Sequence, residues 1–419
     1  MTSLRLLGAV WIIVLMAILT AGFAGTEVWA EGLFNASVCV LAVGVLVPFY
    51  RTRFRLEDLP LPTIVFGCIA LIGALQLASG ASVYPYVTLL ETVRWVSFAA
   101  LAFTTAYLAA DSRVRRILPD CLYGLGVVIV IFGLLHFYTC GGHLLWSMTD
   151  EFGPTFAPFI NRDHFAVFCE LVLPFAVCSA TGGRTGIALH GSVAALLLAA
   201  IFVSGSRMGV LVSSGELIAI LMLQRRRLQR PAPLFAAASV IAVLGILFAV
   251  IGGPDILLRK LRTPAEWQYR MMMAGSAAMM GTERPFTGHG LGTFEVVYPR
   301  FAQFDLGLRV DHAHNDWLEW FAEGGLILPL CMAVFVFSVL RRVRERPWVI
   351  GIVAALLHAC VDFPWRIPAI TAYAIAIASA GQPLRFAASS KTLVKKSREV
   401  GEQPMCSVPL FGDSSTNPR

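Results

Sequence analysis

The residues best suited to chemistry lie close together in the segment RVDHAHNDWLEWFAEGGL, which runs from Arg309 to Leu326. Here His312 and His314 stand among carboxylates, and Asn315 follows the second histidine. A histidine has an ordinary pKa near neutral, so it can act as a general base on a hydroxyl group. A zinc site needs three or four converging ligands, which two histidines spaced two apart at a helix start supply poorly. The segment therefore favours general-base chemistry over a metal site.

Two arginines are also placed where they could bind an anion. Arg207 directly follows a Ser-Gly-Ser turn that divides a long apolar run into two helices. An arginine at the outer hydrocarbon boundary is costly, so we favour a bound anion over snorkelling to lipid phosphate. Arg270 lies in a predicted helix whose capping-box start is at Thr263. It borders an apolar face expected to carry Trp267, Met271 and Ala274.

Other polar residues have a structural interpretation as well as a functional one. Asn161 opens the segment Asn161-Arg162-Asp163-His164 at the entrance to a predicted span, where helix capping is the plainer interpretation. His358 and Asp362 fall four apart on one helix face, either as functional groups or as a polar pair that locks a hairpin to the bundle. The glycine-rich turn from Gly288 to Phe294 follows no buried strand, so it is not a dinucleotide fingerprint.

Composition indicates the elements that position these residues. The chain has 419 residues, of which 57% are hydrophobic and 14% charged. A soluble domain is about half apolar and a quarter charged, so the chain is predicted to be a polytopic membrane protein. Apolar windows of spanning length occur about twelve times, among them 234–251 and 318–340. We predict an all-α bundle of about twelve transmembrane helices, with one long periplasmic loop that contains short helices.

The net charge of +7 is explained by membrane topology. Lysine and arginine concentrate in alternate loops, as the positive-inside rule requires, so both termini are predicted to be cytoplasmic and no nucleic-acid partner is expected. These basic residues are Arg51, Arg53, Arg55, Arg113, Arg115, Arg116, Arg184, Arg225, Arg226, Arg227, Arg230, Arg341, Arg342, Arg344, Arg346, Lys391, Lys395, Lys396 and Arg398. The nine cysteines mostly lie within apolar spans and show no metal-type spacing.

The predicted spans divide the chain into four parts. Residues 1–252 hold transmembrane helices one to nine, and residues 253–316 form the large periplasmic loop with the catalytic motifs. Residues 317–383 hold helices ten to twelve. Residues 384–419 are polar and are expected to form a disordered cytoplasmic tail.

Five motifs in one order resemble a known family. ERPFTGHGLGTFEVVYPRF and RVDHAHNDWLEWFAEGGL are similar to the signature of the O-antigen ligase and polymerase superfamily of bacterial inner-membrane glycosyltransferases. INRDHFAVFCELVLPFA, SGSRMGVL and LLHACVDFPWRIPA occur in the family's order and strengthen the resemblance. Where members often carry Asn, Tyr and Gln, this chain has Asp163, Trp317 and Glu319. These departures bear on the acceptor more than on the reaction.

The resemblance implies a multi-helix, GT-C-like transferase that needs neither a metal nor a cofactor. Such an enzyme moves a glycan from undecaprenyl diphosphate to a sugar hydroxyl on the periplasmic face of the inner membrane. Arg207 and Arg270 match the family's arginines that bind the lipid diphosphate, and His314 matches its catalytic histidine, next to Asn315. Asn161 and His312 are further candidates for substrate binding.

The implied partners are a lipid-linked glycan donor, a glycan or lipid-linked acceptor, membrane lipids and other polysaccharide-assembly proteins. Both a polymerase and a ligase fit, and the motifs at Asn161 and at Val361-Asp362-Phe363 favour exopolysaccharide polymerases. A transporter or flippase of lipid-linked sugars would predict repeated halves, and the sequence shows no internal repeat. A non-catalytic partner in a polysaccharide export machine would require Arg207, Arg270 and His314 to be dispensable.

Overall fold

The computed structural model of the protein describes most of the predicted bundle. The described residues are 2–47, 58–141, 143–146, 148–149, 155–181, 186–224, 264–303, 307, 309–382 and 384. The predicted span at 234–251, the capping residue Thr263 and the predicted tail beyond Leu384 lie outside them.

Helices make up most of the described chain, and the only strands in it form one short hairpin. The helices are α1 Thr2–Ala21, α2 Val28–Leu46, α3 Leu61–Ser79, α4 Pro85–Leu108, α5 Ser112–Thr139, α6 Arg162–Ala180, α7 Gly186–Ser204, α8 Arg207–Gln224, α9 Pro264–Glu283, α10 Phe294–Val297, α11 Asp316–Gly324, α12 Ile327–Leu340, α13 Ile350–His358 and α14 Pro368–Ala380. Strand β1 His143–Leu144 pairs antiparallel with β2 Met148–Thr149, with His143 opposite Thr149.

Eight helices, α1 to α8, are long and apolar enough to cross a membrane. Three apolar segments are shorter: Ile327–Leu340, Pro347–His358 and Pro368–Ala380. Each of these eleven overlaps a predicted span. Helices α4 and α5 begin eight and ten residues before the predicted starts at Val93 and Leu122, and Ile327–Leu340 begins nine residues after the predicted start at Leu318. The twelfth predicted span lies outside the described residues, so the count of about twelve stays a prediction.

Helix α6 lies at the centre of the bundle. In its apolar window 83% of the residues are buried inside the protein, compared with 22% for α7. Small residues on its neighbours allow close approach: a Cβ at Gly126 would lie 2.6 Å from Val172, and one at Gly351 would lie 2.8 Å from the carbonyl oxygen of Glu170. Small residues let membrane helices pack tightly. This packing fixes the N-terminal end of α6, where Asp163 lies.

The predicted span at 318–340 is two helices, because α11 and α12 are separated at Gly325. Gly325 has a φ of +63°, and a Cβ there would lie 2.6 Å from the carbonyl oxygen of Phe286. A glycine accepts both the left-handed conformation and the close backbone contact. The pair Gly324-Gly325 after Glu323 was the local sign of this break, and a hydropathy window averages over it.

The glycine-rich turn after α9 closes around the end of α11. The amides of His289 and Gly290 donate to the carbonyl oxygens of Ala322 and Glu323, at 3.0 and 3.1 Å. Gly288 has a φ of +62°, and a Cβ there would lie 2.0 Å from the carbonyl oxygen of Glu323. The turn is thus a tight reversal that locks the segment before α10 to the helix that follows His314.

The predicted apolar face of α9 was wrong for Trp267 and Met271 and right for Ala274, which is buried. Trp267 and Met271 are both 54% exposed, whereas Met273, Ala277 and Met280 are buried. These three pack against a small cluster formed by α10, α11 and the segment between them. Helical spacing identifies apolar stripes, but which stripe is buried depends on elements that come later in the chain.

Candidate active site around His314 and Asp362

The start of α11 is held against the segment that follows α13. Asn315 caps α11 by accepting a hydrogen bond from the amide of Leu318 at 3.0 Å, and its side-chain NH₂ donates to the carbonyl oxygen of Cys360 at 2.7 Å. The amide of Asp316 donates to the carbonyl oxygen of Ala359 at 2.9 Å. These bonds join two segments that are far apart in sequence and fix the residue immediately before the cap.

That residue, His314, has the geometry of a general base. Its backbone has a φ of +50°, a left-handed conformation that is uncommon for a non-glycine residue and concentrates at functional sites. Its Nδ1 lies 3.0 Å from Oδ1 of Asp362, and its side chain is 23% exposed while that of Asp362 is fully buried. A carboxylate only accepts hydrogen bonds, so in the neutral imidazole Nδ1 carries the hydrogen and Nε2 can take up a proton.

Asp362 is held in its ionised form. Burial alone would raise its pKa, but the hydrogen bond from His314 and the nearby positive charge of Arg270 hold the pKa of Asp362 well below its ordinary value. The guanidinium of Arg270 lies 4.0 Å from Oδ1 of Asp362. A permanent negative charge behind the imidazole would stabilise His314 once it has taken up a proton.

Arg270 connects α9 to the rest of the site. Its Nη1 donates to the carbonyl oxygen of Val361 at 3.0 Å, and its Nη2 donates to Oδ2 of Asp163 at 3.1 Å. A guanidinium has five N–H donors, so these two bonds orient it and leave donors for an anion. Its side chain is 29% exposed. The structure thus brings Arg270 and His314 together around Asp362.

Arg207 is the first residue of α8 and is exposed. Two positions later, Gly209 packs on α6, where a Cβ would lie 2.9 Å from that of Ala166. Ala166 follows Asp163, the partner of Arg270, by less than one helical turn. Arg207 and Arg270 therefore stand at the same end of the bundle.

Phe363 is a site residue that the sequence analysis missed. Its ring is stacked on that of His312, with centroids 4.3 Å apart, and meets the rings of His314 and His164 edge-on at 4.9 and 4.7 Å. An aromatic ring packed against three imidazoles restricts their rotation. Its position directly after Asp362 was the available signal.

The other predicted candidates have partners inside the protein. His312 Nδ1 lies 2.9 Å from Oε1 of Glu319. Asn161 caps α6 by accepting a hydrogen bond from the amide of Asp163 at 2.8 Å. His358 lies 2.9 Å from Oε1 of Glu170 within the bundle, so it pairs with this glutamate and Asp362 pairs with His314. Substrate binding by His312, Asn315 and Asn161 stays a prediction.

A second charged cluster surrounds Arg366, whose side chain is 6% exposed. Carboxylate oxygens lie 3.0 Å, 2.7 Å, 3.8 Å and 3.7 Å from its guanidinium, contributed by Glu319, Glu323, Asp316 and Glu91. Burial raises the pKa of Glu323 to about 7. Burial would also raise the pKa of Glu319, but Arg366 and His312 lower it to about 2. Within the described residues, no three His, Cys, Asp or Glu side chains are grouped as metal ligands would be.

The family model described as O-Antigen ligase matches residues 192–333. This range contains Arg207, Arg270 and His314. The resemblance to the O-antigen ligase and polymerase superfamily is confirmed over this part of the chain. Together with the eight described helices that are long and apolar enough to cross a membrane, this match points to a multi-pass membrane protein with a glycan-processing function of the ligase or polymerase kind. No curated protein matches the chain.

Proposed function

We propose that the protein is a member of the O-antigen ligase and polymerase superfamily and a metal-independent transferase of the bacterial inner membrane. It moves a glycan from undecaprenyl diphosphate to a sugar hydroxyl on the periplasmic face. The observation that carries the proposal is the contact of 3.0 Å between His314 Nδ1 and Asp362 Oδ1, with Arg270 4.0 Å from the same oxygen. A base, its orienting carboxylate and an anion-binding group are what this transfer needs.

In the proposed reaction the acceptor hydroxyl attacks the anomeric carbon of the donor glycan. Nε2 of His314 takes the hydroxyl proton as the new carbon–oxygen bond forms. The bond between the anomeric carbon and the phosphate oxygen breaks, and its electron pair leaves with the lipid diphosphate. One direct displacement inverts the configuration at the anomeric carbon. Asp362 stabilises the protonated His314 until that proton is released to water.

Arg207 and Arg270 are the proposed ligands of the leaving diphosphate. Guanidinium groups hold phosphate oxygens in a bidentate manner and stay charged at every physiological pH. Their charge stabilises the negative charge that develops as the leaving bond breaks. Asp163 orients Arg270 through the bond of 3.1 Å. Both arginines stand at the end of the bundle where His314 lies, which supports a shared substrate.

Asn315 supports this chemistry because it holds His314 in place. Both ends of its amide are engaged, one in the helix cap and one on Cys360, so it fixes His314 relative to Asp362. We assign His312 and Asn161 to the border of the substrate site. His312 has its exposed edge there, with a side chain 26% accessible. A transporter of lipid-linked sugars would have no use for an oriented base, which favours the transferase.

Glycan analysis in cells that lack the protein tests the proposal. Cells receive the wild type, His314→Ala, or the control His143→Ala, which alters an exposed histidine of the hairpin, at matched membrane expression. We expect His143→Ala to restore the glycan and His314→Ala to fail. Single lipid-linked repeats in the His314→Ala cells identify a polymerase, and long untransferred lipid-linked chains identify a ligase. Full rescue by His314→Ala would overturn the catalytic assignment.

A further inference from the structure

The end of the bundle opposite His314 contains a cavity of about 440 Å³. Its walls are the start of α5, the ends of α6 and α8, and the turn between α12 and α13. Along α6, the distance from Asp163 near the candidate site to Ser179 in the cavity wall is roughly 24 Å at 1.5 Å per residue. The volume lies within the range of about 300–1,000 Å³ that is usual for ligand pockets. This cavity is therefore separate from the site around His314.

The cavity and a recess that shares its wall are strongly basic. Four arginines and two carboxylates line them: Arg115, Arg116, Arg344, Arg346, Asp120 and Glu345. Within the part of the chain that the structure describes, none of these four arginines forms an ion pair within 4.0 Å. By contrast, Arg270 and Arg366 near the candidate site both have carboxylate partners. The positive charge of the cavity is only half compensated by its own carboxylates.

Arg346 shows the consequence of this excess charge. It is half-buried, and its guanidinium carbon lies 5.8 Å from the centre of the Trp348 ring. Burial lowers the pKa of Arg346, and the positive charges of Arg342 and Arg115 lower it further. A bound anion would relieve both effects.

Part of the remaining wall of the cavity is apolar and includes two aromatic rings. The rings of Phe175 and Trp348 lie 6.0 Å apart, and both face the cavity together with Pro119 and Pro347. A wall of this kind suits a ligand that joins an anionic group to hydrocarbon. A free inorganic anion would leave the apolar part of the wall without a partner.

We propose that this cavity binds the phosphate group of an anionic phospholipid. Arginine forks match phosphate oxygens, and basic pockets between transmembrane helices on the cytoplasmic side hold such head groups. The basic loops that contribute Arg115 and Arg344 are those that the positive-inside rule assigns to the cytoplasm. The lipid would fasten the α12–α13 turn to the starts and ends of three spanning helices.

Lipid binding to the purified full-length protein tests this proposal. Cardiolipin or phosphatidylglycerol is titrated into protein held in neutral detergent, with phosphatidylcholine and inorganic phosphate as separate arms. Bound lipid is counted by native mass spectrometry, and the thermal unfolding midpoint is followed in parallel. The test variant is Arg115→Gln with Arg344→Gln. The matched control is Arg113→Gln with Arg341→Gln, which removes the same charge from the same segments but from residues outside the cavity wall.

We expect the anionic lipids, unlike phosphatidylcholine, to bind and to raise the unfolding midpoint of the wild type and the control. To reach the same occupancy as the wild type, the cavity variant should need an anionic lipid concentration at least roughly tenfold higher. Equal weakening in the test and control variants would overturn the proposal, because it would indicate general surface charge. Equal protection by inorganic phosphate alone would also overturn it, because it would identify a soluble anion as the ligand.

Discussion

Two charged clusters meet at α11, and they differ in their access to solvent. His314 is 23% exposed and is held from behind by buried Asp362, whereas Arg366 is 6% exposed and is enclosed by carboxylates on several elements. Both clusters combine cations with buried acids, so residue type alone does not separate them. The first has an open face on which a substrate can bind, and the second has none. The comparison supports the proposal that His314 carries the chemistry and that Arg366 supports the structure.

The Arg366 cluster should give the largest effect on stability. Arg366→Met removes the positive charge that several buried carboxylates share, and breaking a buried pair costs about 3–5 kcal/mol. We expect little folded protein at growth temperature and a low thermal unfolding midpoint in detergent. Arg300→Met, which removes an arginine 64% exposed, is the control and should be near neutral. A stable Arg366→Met protein would mean that the cluster is not what holds α11 in place.

Asp362→Asn tests the open cluster, which is formed by His314, Asp362 and Arg270, by removing its buried negative charge. The amide keeps the shape but loses the negative charge behind His314, so we expect roughly 10–100-fold slower glycan transfer. The unfolding midpoint should change less than in Arg366→Met. Asp311→Asn, an exposed acid three residues from His314, should transfer normally. Normal transfer by Asp362→Asn would show that the contact of 3.0 Å does not orient a base.

Two variants of Asn161 distinguish its role as a helix cap from a role in substrate binding. Asn161→Ala should cost about 1 kcal/mol of stability because α6 loses its cap. Asn161→Ser keeps a capping oxygen but lacks the amide, so the two variants distinguish the roles when both unfolding and transfer are measured. Recovery of transfer with Ser indicates capping alone. Persistent loss of transfer in a stable Asn161→Ser protein indicates substrate contact.

The smallest effect concerns pH and the Arg366 cluster. The pKa of Glu323 is raised to about 7 in the folded protein, above an ordinary glutamate. The folded state therefore binds the proton more tightly than the unfolded state, so this stability is present below about pH 4.5 and is lost as the pH rises to about 7. In Glu323→Gln the thermal unfolding midpoint should change less with pH between these two values. Glu283 is partly exposed, so Glu283→Gln should keep the pH dependence of the wild type. An unchanged slope in Glu323→Gln would assign the pH dependence to other groups.

Hydropathy predicted most of the helices, because a spanning helix must be apolar over its whole length. The turn before Arg207 was also predictable, because Gly205 and its serine neighbours interrupt an otherwise continuous apolar run; Gly205 has a φ of +68°. Local sequence carries both signals.

The convergence of the site was not predictable from local sequence. His314 and Asp362 are 48 residues apart, and their contact depends on how α11 docks after α13. The break at Gly325 was missed in part for the same reason, since the approach of the distant Phe286 adds to the left-handed φ in requiring a glycine there. The proposed roles of Arg207, Arg270 and His314 came from a resemblance. The structure adds Asp163 as a partner of Arg270, and Asp362 and Phe363 as contacts of His314.

The most direct test of the central claim is a transfer assay on purified protein in lipid vesicles, with a lipid-diphosphate glycan donor and its acceptor. His314→Gln keeps a polar side chain at the open face but cannot act as a base. We predict a loss of transfer of about 10²–10⁴-fold, with an unfolding midpoint close to that of the wild type. Transfer by His314→Gln at the wild-type rate, in a protein that still unfolds normally, would contradict the assignment of the open cluster to chemistry.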